Sequence, residues 1–154
     1  MIAPELLAEL FAINYRVIRR QVDGLTHEDS LLQLPFRGNC LNWVLGHIVA
    51  TRNRALALLG EPPIWSEAEA ARYATGSEPI TSNADALPLE KILRDLDCSQ
   101  ERLTAALRRA TDLNIPQGED TVGEQLAFLH FHEAYHTGQT EMLRQLAGKN
   151  DKVI

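Results

Sequence analysis

Two cysteines in 154 residues, Cys40 and Cys98, are too few and too far apart to staple a fold, so both read as reduced thiols. Missing too is any apolar run approaching the ~20 residues of a membrane span. The opening stretch "MIAPELLAELFAINYRVIRR" carries acidic residues early and basic ones late, the wrong order for an export signal. A cytoplasmic protein is expected. There is no basic cluster: 15 Lys and Arg are dispersed among 21 Asp and Glu, for a net charge of −6. Such a surface repels phosphate backbones, so neither nucleic acid nor a membrane is an expected partner. Alternating β-branched runs, internal repeats and low-complexity tracts are also lacking.

What is there is helical. The length suits one domain over residues 1–154, large enough to bury a core without disulfides. A first helix is predicted from Pro4 to Val22, on a stripe of Leu7, Leu10, Phe11, Asn14, Ile18 and Val22. "DGLTHED" breaks it, and a short helical turn is predicted around "SLLQL". The second helix begins near Asn39, a good N-cap, and stops at Gly60. A connection rich in Pro, Gly, Ser and Thr runs from Glu61 to about Pro88, with a short helix around "SEAEAARY". The third helix starts at Pro88 on Leu89, Ile92, Leu93, Leu96, Leu103, Ala106, Leu107 and Ala110. The fourth opens with a capping box at Thr121–Glu124 and closes at Gly148. The fold class is therefore all-α: a four-helix bundle with a long crossover between helices 2 and 3, an architecture that builds metal sites from side chains on facing helices.

Chemistry concentrates in "HFHEAYHTGQTEMLRQLAGK", residues 130–149. His132 and His136 are four residues apart, about 40° on the helical wheel, and His136 shares a stripe with Val122, Leu129, Thr140, Leu143 and Ala147. Two imidazoles so placed converge on one cation, or form a buried hydrogen-bonded pair. His130 points roughly 160° away from His132. The string matches H-E-x-x-H, the metalloprotease signature. A protease, however, needs a third ligand further on. Gly138 stands two rather than three residues after His136, no histidine follows, and Glu141 and Asp151 are poorly placed.

The third ligand is sought on the second helix. In "NWVLGHIVATRNR", His47 flanks the stripe Leu41, Val44, Ile48, Ala55 and Leu59, and Gly46 beside it suggests a close helix contact. His47 facing His132 and His136 completes a three-histidine set with coordination positions left open; a half-buried surface histidine is the competing reading. Cys40, two turns earlier, is too far away to share that metal and reads as a small core residue. Glu133 lies within about 60° of His136, as a candidate general base at the pocket edge or an interhelical carboxylate. Arg54 is a candidate for holding a substrate carboxylate, and Arg52 lies nearby; both also fit snorkelling surface arginines. Asn14, Ser99 and Gln100 interrupt apolar stripes, where they could orient the histidines or merely be hydrated. Trp43 reads as core rather than as a substrate platform.

Around "NCLNWVLGHIVATRNRAL" and "FHEAYHTGQTEMLRQLAGK" the chain resembles the DinB/YfiT-like family of bacterial metal-binding four-helix bundles. The shared features are Trp43-x-x-Gly46-His47-Ile48 and the His132/His136 pair followed by Gly138-Gln139. The resemblance implies a divalent cation, zinc or nickel, on His47, His132 and His136, and a homodimer. It also implies a small-molecule substrate, with thiol S-transferases using low-molecular-weight thiols among the relatives. Two functions compete. One is a metal-dependent transferase or hydrolase, which requires a pocket open at the metal; the other is a non-catalytic metal-binding bundle used for stability or interaction, which requires a closed site.

Overall fold

Periodic apolar stripes give four long helices in the computed structural model, which describes residues 2–153. They are α1 (Pro4–Gln21), α3 (Leu41–Leu58), α5 (Leu89–Arg109) and α6 (Val122–Leu146). Two short helices, α2 (His27–Ser30) and α4 (Glu67–Ala71), lie in the connections. A two-residue hairpin, β1 (Pro116–Gln117) with β2 (Asp120–Thr121), precedes α6 and was not signalled by any alternation in the sequence. Helices α1 and α3 each pack against both α5 and α6, so the bundle is a square in which α3 and α6 are neighbours. Two apolar clusters fill it. One gathers Ile18, Leu45, Ile48 and Leu96, the other Leu7, Phe11, Leu56, Leu103 and Leu126. Among the described residues, no helix is long and apolar enough to cross a membrane.

The helix starts follow local chemistry. The Thr121 side chain accepts from the Glu124 amide and Glu124 reaches back to the Thr121 amide, the predicted capping box. A second box forms at Ser66 and Glu69, opening α4. A third, Thr26 with Asp29, places α2 at His27–Ser30 rather than around "SLLQL": the stretch read as a breaker holds the capping chemistry. Helix α3 is capped at Cys40, one residue beyond Asn39, with no side-chain hydrogen bond.

The connection after α3 does more than span a distance. It folds back over α3, inserting Trp65, Tyr73 and Ile80 into the same cluster as Trp43, Val44 and Leu45. Every residue from Leu41 to Val49 is consequently buried. That explains why the wheel put His47 on a flank: this half of α3 has no solvent face. Gly46 does permit a close approach, but of the crossover rather than of a helix. A Cβ there would sit inside the contact shell of the Tyr73 ring.

Candidate metal centre

His132 and His136 project from adjacent turns of α6, and His47 reaches them from α3. One nitrogen from each of the three lies within 4.8 Å of the others. Ring centroids are 4.9 Å apart for His47 and His132, 4.7 Å for His47 and His136, and 4.6 Å for His132 and His136. His47 and His136 are buried and His132 half-buried. His47 Nε2 faces His132 Nε2 at 3.1 Å. Two nitrogens that each lie about 2.0–2.1 Å from one cation are themselves roughly 3 Å apart, so the spacing fits shared coordination.

Protons at the other ring nitrogens point the same way. His47 Nδ1 lies 2.6 Å from the Tyr73 carbonyl oxygen. A carbonyl only accepts, so Nδ1 carries the proton and Nε2 presents its lone pair. His136 Nδ1 lies 2.8 Å from Gln139 Oε1, which leaves its Nε2 free in the same way. The Nδ1 of His132 is buried without a partner. Burial, the largest influence, lowers the pKa of all three histidines; that of His136 falls to about 4. Mutual repulsion adds to this for His132 and His136, and the Arg54 cation also acts on His132. The imidazoles are therefore neutral near pH 7, the state in which they ligate. Such a set suits zinc, nickel, copper or iron, and a carboxylate-preferring ion such as magnesium far less.

Glu133 does not border this site. Its carboxylate is only 2% exposed and accepts from Arg52 Nε at 2.8 Å and Nη2 at 2.9 Å. Arg52, 1% exposed, also donates through Nη1 to Ser99 Oγ at 2.9 Å and to the Leu96 carbonyl. The physical reason is pairing: a buried guanidinium needs a buried carboxylate, and α6 supplies one beside His132. Of the two readings of Glu133, general base at the pocket edge or interhelical carboxylate, the structure shows the second: a fork-to-fork ion pair between α3 and α6, with α5 supplying the guanidinium's other partners.

A cavity of about 450 Å³ opens onto all three histidines. Trp43 forms part of its wall, stacked on His47 with ring planes 10° apart and centroids at 4.6 Å. Its indole N–H donates to Ser77 Oγ at 2.9 Å. Trp43 is therefore both core and wall. Leu34, Phe36 and Arg37 come from the loop between α2 and α3, and Tyr135, Gln139 and Met142 from α6. Nothing in the sequence singled out Arg37 or Tyr73, because a loop position has no period and a backbone acceptor has no side-chain signature.

The remaining candidates are dispersed. Arg54 is exposed and lines a second hollow, which also touches His47, and is absent from the wall of the histidine cavity. Asn14 donates to the His130 carbonyl rather than to a histidine ring, and Gln100 to Thr104. Ser99 serves Arg52. His130 packs its ring edge-on against Phe11. Cys40 is buried, its thiol directed at the Ile80 carbonyl and its pKa pushed up by burial. Asp151 pairs with Arg144.

Fold and site together define a helical bundle with a three-histidine centre at the α3–α6 seam and a cavity leading to it. The chain belongs to the DinB superfamily, whose family model matches residues 10–140 and so takes in His47, His132 and His136. No curated protein matches it.

Proposed function

We propose that this protein is a metal-dependent enzyme acting on a small molecule, a transferase or hydrolase, with zinc or nickel on His47, His132 and His136 and a low-molecular-weight thiol as cosubstrate. One observation carries the reading: the cavity reaches the histidines from outside, whereas a purely structural site would be enclosed. When bound, the cation supplies Lewis acidity, lowering the pKa of a water or thiol beside it.

The chain's own residues do the rest. Tyr73 and Gln139 hold His47 and His136 in the tautomer that offers Nε2. Trp43, Tyr135 and Met142 present apolar surface that excludes water from one side of a bound molecule. Glu133 acts as a positioning residue: with Arg52 it fixes α6 against α3 and so sets the spacing between His47 and the α6 pair. Thiol S-transfer is the reaction to assay first, and a cytoplasmic setting, where such thiols stay reduced, belongs to the same reading. A homodimer is also part of it, supported by an exposed apolar row on α6 of Phe128, Phe131, Tyr135 and Met142.

The test is metal content after purification without added metal, for wild type and for His47→Ala, His132→Ala and His136→Ala. The reading requires about one divalent ion per chain in wild type and its loss in each variant, followed by metal-dependent turnover with a thiol donor. Metal-free wild type that resists loading, with variants altered only in stability, would reduce the histidines to a core hydrogen-bonded cluster.

A further inference from the structure

The wall of the histidine cavity contains no carboxylate, although the chain has 21 acidic residues and a net charge of −6. It does contain Arg37, which is exposed and takes part in no ion pair among the described residues. Four other hollows differ in this respect. Arg54 shares its hollow with Glu67, and Arg72 with Glu78 and Asp85. Arg19, Arg20, Arg144 and Lys152 share theirs with Asp23 and Asp151, and Arg108 shares its hollow with Asp97 and Glu101. Every one of those hollows has at least one carboxylate in its wall, and the histidine cavity has none. Arg37 is thus a cation in a cavity wall without a carboxylate.

We propose that the cavity receives a small organic anion with an apolar body, whose acid group is held by Arg37. This names a substrate class for the site proposed above and rests on reading that cavity as a substrate site. The apolar part of the ligand is set by Leu34, Phe36, Trp43, Tyr135 and Met142, three of them aromatic. The guanidinium fork matches a carboxylate or sulfonate in two parallel hydrogen bonds. Further donors are at hand in the Asn39 and Gln139 side chains and the Thr75 hydroxyl; the Gln139 oxygen is taken by His136, which leaves its NH2 to donate. A volume of about 450 Å³ admits one or two rings with substituents, in the usual range for small-molecule sites. A cationic or zwitterionic ligand has no carboxylate to meet here.

The test compares two dyes that differ only in an acid group, anilinonaphthalene sulfonate and its uncharged parent phenylnaphthylamine, by fluorescence titration of the full-length protein. Loss of a charge-assisted pair predicts that the preference for the sulfonate, read as the ratio of the two Kd values, falls about tenfold in Arg37→Ala. Arg37→Lys should recover part of it, and the effect should persist after chelation. An unchanged ratio in Arg37→Ala overturns the assignment. So does a ratio that responds only to His136→Ala or chelation, because the acid then goes to the cation. Should wild type carry no metal while the Arg37 effect remains, this inference stands and the metal reading falls.

Discussion

At His47 the Tyr73 carbonyl, and at His136 the Gln139 side chain, occupy one ring nitrogen each and leave the other to a cation. Partners of this kind are typically worth 10–100-fold in metal affinity. Gln139→Leu should therefore weaken metal binding by about tenfold without unfolding the chain, measured by competition with a chromophoric chelator. The pH dependence of the metal-free protein follows from burial. His136 titrates at about 4 when folded and near the ordinary histidine value of about 6.5 when unfolded. Between those values the unfolded chain holds a proton that the folded chain refuses, so stability falls as pH falls. His136 alone should account for roughly 2 kcal/mol of loss between pH 7 and pH 5. Urea denaturation of metal-free wild type and His136→Asn at both pH values checks this: the variant should have the flatter slope. At this scale the sequence was most legible on α6, where i, i+4 spacing is itself geometry. It was least legible at Tyr73, whose contribution to the centre is a backbone oxygen.

Between elements, the Arg52–Glu133 pair connects α3 to α6, with Ser99 and the Leu96 carbonyl of α5 completing the guanidinium's partners. Removing one member leaves a buried charge, so Glu133→Ala should cost roughly 3–5 kcal/mol. Replacing both with apolar residues, Arg52→Met with Glu133→Leu, removes the charges together and should cost far less or nothing. If the pair positions the ligands, that double variant keeps its fold but shows an altered cobalt(II) absorption spectrum and weaker metal binding. Wild-type spectra in a folded double variant would leave the pair with stability alone. Gly46→Ala tests the crossover contact. The new methyl group displaces the Tyr73 ring, and overpacking of this kind costs about 1–3 kcal/mol by thermal or urea denaturation. Helix boundaries were readable from caps at Thr121 and Gly60, because capping is local. The ion pair was not: its members are 81 positions apart, and each taken alone resembles a surface charge.

For the molecule as a whole, the periodicities of α1, α5 and α6 were sufficient for the bundle, since each of these helices has one wet face and one dry. Helix α3 was harder to read because the crossover dries its outer face as well. The sequence shows the length of that crossover but not what it covers. One wet face is unusually apolar: Phe128, Phe131, Tyr135 and Met142 recur on α6, with Phe131 65% exposed. Apolar rows of this size are uncommon on monomers. Light scattering should give twice the chain mass for wild type and a monomer for Phe128→Glu with Phe131→Glu; a monomeric wild type would remove the dimer from the proposal. Tyr135 and Met142 also line the cavity, so a second copy on this row would stand at its rim. Tyr73 has its own long reach. Its ring seats on Gly46, its carbonyl holds His47, and its hydroxyl donates to Asn42 and accepts from the Leu87 amide at 2.8 Å. Docking of the crossover and readiness of the centre are therefore linked through one residue, and a cation on the three histidines should favour the docked state. The Leu87 amide, far along the chain from any of the three imidazoles, should exchange its hydrogen more slowly once a cation is bound.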